Sequence, residues 1–163
     1  MLERQDQVSS NKLVILFLAI VATLLVSGCG GYKPEEIQYG IDQCDYCKMT
    51  IADQSFSSEL NTQKGKVLKY DSIECLAAAD VEFARNSQEV HSRWVTDFRQ
   101  PGKFLNANSA SIVASDRQKS PMGVGLLAAN SEQAAQQLID EFGGRIVSMN
   151  EIRELVKVAW KLK

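Results

Sequence analysis

Two thiols and a thioether fall within six residues in the run Cys44-Asp45-Tyr46-Cys47-Lys48-Met49. The stretch before them, Gly31 to Gln43, holds Pro34, two glutamates and Gly40 with no lasting apolar period, and reads as a linker. Sulfurs placed after such a segment can converge without opposing a helix or a strand ladder. Thiolate and thioether together select Cu(I) over Mg, Ca or Mn, and methionine is a poor zinc ligand. Three other readings stay open. Cys44 and Cys47 could form the dithiol of a membrane-tethered thiol-disulfide oxidoreductase, or a local structural pair. A structural zinc site could be assembled from Cys44, Cys47, Cys75 and His91. The redox reading wants a helix beginning at the first cysteine to lower its pKa, and Lys48, Thr50 and Ile51 do not continue an amphipathic helix. The zinc reading splits its second pair, Cys75 and His91, between a helix start and a strand approach, unlike paired zinc knuckles.

Two further sulfurs could join the first three. Cys75 falls in the first turn of an expected helix, where the helix dipole favours a thiolate, although a small buried residue is the simpler reading. Met122 sits in Ser120-Pro121-Met122-Gly123, a turn whose proline and glycine fix the backbone on either side of it. It is either a distant sulfur ligand or a packing residue.

The elements that must position these residues repeat one small pattern. Ser57 to Thr62 and Lys66 to Tyr70 flank Lys64-Gly65 as a hairpin, with a weakly apolar first strand. Asp71 and Ser72 are N-cap types, Glu74 stands three after Asp71, and Ile73, Leu76, Ala77, Val81 and Ala84 form the buried stripe of a helix. Arg93 to Phe98 is a strand. The order then recurs: strands Ser111 to Ala114 and Val124 to Ala129, a helix Ser131 to Phe142 stopped by Gly143-Gly144, and a closing strand Arg145 to Val147. Ser148 with Glu151 forms a capping box for a final helix with an apolar face of Ile152, Leu155, Val156 and Ala159. The expected fold class is α+β, two small ββαβ units packed together with a C-terminal helix. Each unit is too short to bury a core alone.

Composition removes several function classes. The chain of 163 residues is 45% hydrophobic and 23% charged, which is ordinary for a globular protein. A net charge of -2 without a basic run argues against nucleic acid as a partner. One histidine excludes multi-histidine zinc sites and leaves nucleophile-histidine catalysis dependent on a single imidazole.

The N-terminus reads as an address. Arg4 and Lys12 precede an apolar run from Leu13 to Val26, too short to cross a bilayer comfortably and the right length for a signal core. Val26-Ser27-Gly28-Cys29 resembles the lipobox of bacterial lipoproteins. Residues 1–28 are therefore expected to be a lipoprotein signal peptide, Cys29 the lipidation site and 29–43 the tether. The protein would then be lipid-anchored to a bacterial membrane, facing the periplasm or cell exterior. With Cys29 lipidated, Cys44, Cys47 and Cys75 leave an odd thiol count in an oxidising compartment, which suits a metal or redox partner.

Taken in order, the lipobox at Cys29, Cys44-Asp45-Tyr46-Cys47-Lys48-Met49-Thr50-Ile51, Tyr70-Asp71-Ser72-Ile73-Glu74-Cys75-Leu76, Trp94-Val95-Thr96-Asp97-Phe98 and Ser120-Pro121-Met122-Gly123 resemble NosL, the lipoprotein copper chaperones linked to nitrous oxide reductase. The likeness covers nearly the whole mature chain. It implies a NosL-like copper-binding domain over 44–163, with units of about 44–100 and 101–163, similar in topology to part of organomercurial lyase. It also implies Cu(I) as the cargo and no enzymatic activity. The implied partners are a copper-receiving client enzyme and its maturation transporter, with a copper-linked homodimer as a further arrangement. By position, Cys47 and Met122 match the family's copper-ligating cysteine and methionine, with Met49 and Cys44 behind them. Many members carry glycine where this chain has Lys48, and some carry histidine in place of Cys44.

Overall fold

The computed structural model describes residues 33–86 and 88–162. The expected signal segment, Cys29 and the start of the tether lie outside the described residues. All elements below belong to the unit Pro34–Lys163.

β1 (Ser58–Thr62) and β2 (Val67–Tyr70) pair antiparallel across a turn in which Gly65 takes a positive φ. The polar character of β1 follows from its position. It is an inner strand, flanked by β2 and by β3 (Val90–Thr96), and Ser58, Glu59, Leu60 and Asn61 are all buried. Its side chains hold neighbours in place: Ser58 Oγ donates to the Ser72 carbonyl at 2.8 Å, and Glu59 Oε2 accepts from the Glu35 N–H at 2.9 Å. The sequence pattern passes over β4 (Phe104–Asn106), three half-buried residues that complete the order β2-β1-β3-β4.

α1 (Ile73–Arg85) starts at Ser72, whose side chain accepts from the Cys75 N–H. It is buried from Ile73 through Val81 rather than along one stripe, because the sheet covers one side and the C-terminal helix another. Glu74 does not serve a capping box here; its carboxylate accepts from Ser120 instead.

β5 (Ser111–Ala114), β6 (Leu126–Ala129), α2 (Glu132–Phe142) and β7 (Arg145–Val147) repeat the first unit's connectivity in a second antiparallel sheet of order β6-β5-β7. In both sheets the first strand of the unit lies between the second and the third. Gly144 is required by close approach, since a Cβ there would stand 1.9 Å from the Ala114 carbonyl oxygen. The sheets meet where Phe98 N–H donates to the Ala128 carbonyl at 2.9 Å, and Phe98 stacks edge-on between Phe56 and Phe142. The α+β class and the two-sheet arrangement with a final helix are as the sequence predicts.

α3 (Met149–Trp160) has the expected Ser148–Glu151 capping box, but its buried face is narrower than predicted. Ile152 and Val156 are buried, while Leu155 and Ala159 are exposed, because α3 leans chiefly on α1 at the rim of the fold. A polar tie fixes that contact: buried Asp80 of α1 accepts from Arg153 Nε at 2.6 Å and from Arg93 Nε of β3 at 2.9 Å. The stretch read as a linker is also packed from Pro34 onward. Ile37 is buried, Tyr39 Oη lies 2.8 Å from Ser57 Oγ, and Gly40 N–H donates to the Ile51 carbonyl.

Candidate metal centre

Cys44 and Cys47 sit on a tight turn, not on a helix. Gln43 and Thr50 bridge antiparallel at its base, Cys44 N–H donates to the Met49 carbonyl at 2.8 Å, and Lys48 N–H donates to the Cys44 carbonyl at 3.0 Å. Closing so short a loop puts Lys48 at φ +66°, in the left-handed region where glycine is the easy residue.

The turn is docked on the free edge of β2. Asp45 N–H donates to the Lys69 carbonyl at 2.8 Å, and Lys69 N–H donates to Asp45 Oδ2 at 2.9 Å. The Lys69 ammonium also pairs with Asp42 at 2.8 Å, and the Tyr46 ring stacks on Trp160 at the end of α3, centroids 5.7 Å apart. β2 runs directly into Tyr70-Asp71-Ser72 and the first turn of α1. The two thiols of the turn therefore meet Asp71 and Cys75.

The outcome is a cluster of Cys44, Cys47, Cys75 and Asp71 whose ligand atoms all lie within 4.8 Å of one another. All three cysteines are free thiols. Cys44 and Cys75 are fully buried and Asp71 is 3% exposed, whereas Cys47 is only half-buried. The cluster is closed on the protein side and open at Cys47.

Its protons are unevenly held. The Cys75 thiol donates a hydrogen bond to Cys44, and the N–H groups of Asp71, Cys47 and Tyr46 add to it, so Cys44 is drawn down to about 6 against the effect of burial. Cys75 is pushed up because its proton is engaged on Cys44, and burial adds to this. Burial, helped by the neighbouring Cys44 sulfur, pushes Cys47 up to about 11. Cys47 Sγ lies 3.4 Å from Asp71 Oδ2 and donates to it. A soft metal entering the cluster displaces the protons its thiols hold.

Of the residues singled out in the sequence, Cys44 and Cys47 enter the cluster. Met49 is 46% exposed beside them. Met122 is half-buried and packs on the apolar core that contains Cys44 and Cys75. Its turn is clasped to the same helix start: Ser120 Oγ donates to Glu74, the buried neighbour of Cys75, and accepts from Gly125 N–H at 2.9 Å. His91 lies exposed on β3 and is not a member of the cluster, so the zinc set built on it is not assembled. Cys75, for which packing was the simpler reading, is both buried and clustered. Asp71 was missed because it was taken as a cap. Ser72 caps α1, and an acidic residue left over beside an adequate cap was the available signal.

Two ββαβ units, the first carrying three thiols and a carboxylate with one cysteine half-open, make a protein with a cluster that could hold a metal ion. A family model for NosL matches residues 38–156, and the chain belongs to the NosL family. The crystal structure of the copper chaperone NosL from Shewanella denitrificans resembles this chain with a TM-score of 0.56 at 24% identity, over 72% of this chain and 96% of that one. No curated protein matches.

Proposed function

We propose that this protein is a Cu(I) carrier that holds one ion at the thiol cluster and gives it up through the Cys47 opening to a copper enzyme. The observation that carries the reading is the convergence of three free thiols within 4.8 Å with only one of them near solvent. Cu(I) is satisfied by two or three soft ligands, so a partner's ligand can enter at Cys47, share the ion and draw it away. Cys47 and Met122 are the ligands that family likeness favours. Burial and proximity favour Cys44 and Cys75 as the inner pair, and exposure favours Met49 as a thioether met first or last by the ion. No bond of an organic substrate is made or broken, and the protein is a carrier, not an enzyme.

An oxidoreductase would need its low-pKa thiol within reach of a substrate disulfide. Cys44 is fully buried, and the accessible Cys47 is the thiol that keeps its proton. Family membership supports nitrous oxide reductase as the client, together with its maturation transporter. The lipobox supports residues 1–28 as a signal peptide and Cys29 as a lipid anchor on a bacterial membrane, with a tether that ends before the packed stretch beginning at Pro34.

Anaerobic titration with Cu(I) against a chromophoric chelator is expected to give one ion per chain. Failure to compete, or metal-free reduction of insulin disulfides, overturns the reading. A Cys29→Ala chain that still incorporates radioactive fatty acid overturns the anchor.

A further inference from the structure

We infer that the outward face of α3 rests on the lipid surface of the membrane that holds Cys29, as a second, non-covalent contact beside the acyl anchor. The inference rests on the lipid-anchor reading and adds which side of the domain meets the bilayer. Between Cys29 and the packed stretch at Pro34 stand Gly30, Gly31, Tyr32 and Lys33. Fully extended, that length of chain spans at most about 18 Å, while a domain of this size is about 35 Å across. The tether is shorter than the body it carries. The side of the domain that bears Pro34 is therefore held close to the headgroups. A tether this short presents that side to the bilayer at an effective concentration of about millimolar, so a surface of weak intrinsic affinity stays bound.

The fold identifies that side. Lys69 Nζ donates to the Glu36 carbonyl at 2.8 Å, the Lys69 carbonyl accepts from Asp45 N–H, and the neighbouring Tyr46 stacks on Trp160. The end of the tether and the C-terminal half of α3 thus meet along the same edge of β2. On α3, Val158 is 80% exposed and Leu155 41%, three residues apart, with exposed Ala159 beside them. They form a second apolar stripe, outside the buried face of Ile152 and Val156. Charge selects the occupant. The acidic residues of α3, Glu151 and Glu154, fall in its first half, paired with Arg145 at 2.8 Å and Lys157 at 2.7 Å. From Leu155 to Lys163 the sequence holds three lysines and no acidic residue. An exposed apolar stripe bordered by lysines suits an anionic lipid interface, with its apolar side sunk about 5–10 Å into the headgroup boundary.

The test uses the acylated full chain, purified from bacterial membranes and placed in vesicles of equal parts phosphatidylcholine and phosphatidylglycerol. A trace of phosphatidylcholine with a photoactivatable diazirine on its acyl chain is the probe. On illumination, lipid adducts mapped by mass spectrometry are expected between Leu155 and Lys161 and absent from the exposed face of α2. Leu155→Gln with Val158→Gln, both at exposed positions, is expected to lower the α3 adducts by about fivefold or more with circular dichroism unchanged. Vesicles of phosphatidylcholine alone are expected to lower them by about threefold. An acylated chain whose adducts fall elsewhere, or are unchanged in the double variant or in neutral vesicles, overturns the inference and leaves the anchor standing. So does a stripe shielded by a second copy, seen as chain-to-chain cross-links at Lys157 or Lys161 in place of lipid adducts. Should the double variant not fold, the wild-type adduct map decides: adducts on α3 support the inference, and adducts elsewhere overturn it. A chain that carries no acyl group on Cys29 and washes off the vesicles overturns the anchor reading and the inference with it.

Discussion

The two ββαβ units share a connectivity and a way of starting their helix, yet they bury different chemistry. α1 and α2 both follow a serine cap with a glutamate in the first turn. In the first unit that turn is wholly buried, and Glu74, Cys75 and Asp80 are enclosed with it, beneath a strand that encloses Ser58, Glu59 and Asn61. In the second unit α2 buries only Ala135 and Leu138, and β6 is Leu-Leu-Ala-Ala. One copy of the motif has its interior given over to thiol, carboxylate and hydroxyl groups. The other is an apolar prop that contributes one loop, the Met122 turn, to the first.

The sharpest way to break this division is a pair of substitutions. Cys75→Ser removes an inner sulfur and is expected to weaken Cu(I) by about 10²–10⁴-fold, since the chelate loses an anchor, with little change in folding. Leu138→Ala empties a fully buried site in the second unit and is expected to destabilise by about 2–5 kcal/mol while the folded fraction keeps its copper affinity. Chelator competition and denaturant titration on both variants check it. A copper defect in folded Leu138→Ala would show that the prop tunes the site.

The buried polar interior of the first unit also predicts a pH dependence that the second unit lacks. Burial pushes the Glu59 carboxyl up to about 7 from its ordinary 4.5. Between those values the folded chain holds one proton more than the unfolded chain, so this group's contribution makes stability fall as pH rises through that window and level off above it. The full span is worth about 3 kcal/mol. Glu59→Gln is expected to remove that slope, so its stability relative to wild type improves from pH 4.5 to pH 8. Parallel slopes for both proteins in urea denaturation would refute it.

A smaller effect tests whether the second unit's loop truly serves the first. Ser120→Ala cuts the link to Glu74 and frees the Met122 turn from the start of α1. If Met122 supplies a thioether to copper, Met122→Leu and Ser120→Ala are each expected to cost about tenfold in Cu(I) affinity, and the double variant no more than either. Additive losses would mean that the clasp acts through Cys75 rather than Met122. Leucine for methionine nearly conserves volume, so circular dichroism and thermal unfolding should barely move.

How much of this was legible in the sequence depended on whether the signal was local. Caps, glycine stops and apolar periods located the three helices and six of the seven strands among the described residues, because each is a property of neighbouring residues. β4 was not found, since Phe-Leu-Asn has no alternation and exists only through pairing with β3. The packed stretch 34–43 was mistaken for a linker because its one fully apolar anchor, Ile37, shows no period. At the site, the cysteine pair was read from its spacing. The contribution of Asp71 was hidden, because what brings it to Cys47 is the docking of the turn on Lys69, a contact across 24 residues.

The smallest predicted effect compares the two turns that carry the sulfurs. Both need a left-handed residue: the first unit uses Lys48 at φ +66°, the second Gly123 at φ +88°. A side chain in that region costs about 1–2 kcal/mol, offset on replacement by the roughly 0.5–1 kcal/mol of chain entropy that glycine brings to the unfolded state. Lys48→Gly also gives up the bond from its ammonium to the Asp45 carbonyl, an exposed contact of little worth. The net expectation is a gain of about 0.5 kcal/mol, while Gly123→Ala should lose about 1 kcal/mol although nothing lies within 4 Å of the added Cβ. Copper affinity should hold in Lys48→Gly, whose turn keeps its shape. It should fall slightly in Gly123→Ala if straining that turn moves Met122. Equal stability changes of the same sign in both variants would mean that backbone conformation does not govern either turn, and that the lysine is held at position 48 by its charge.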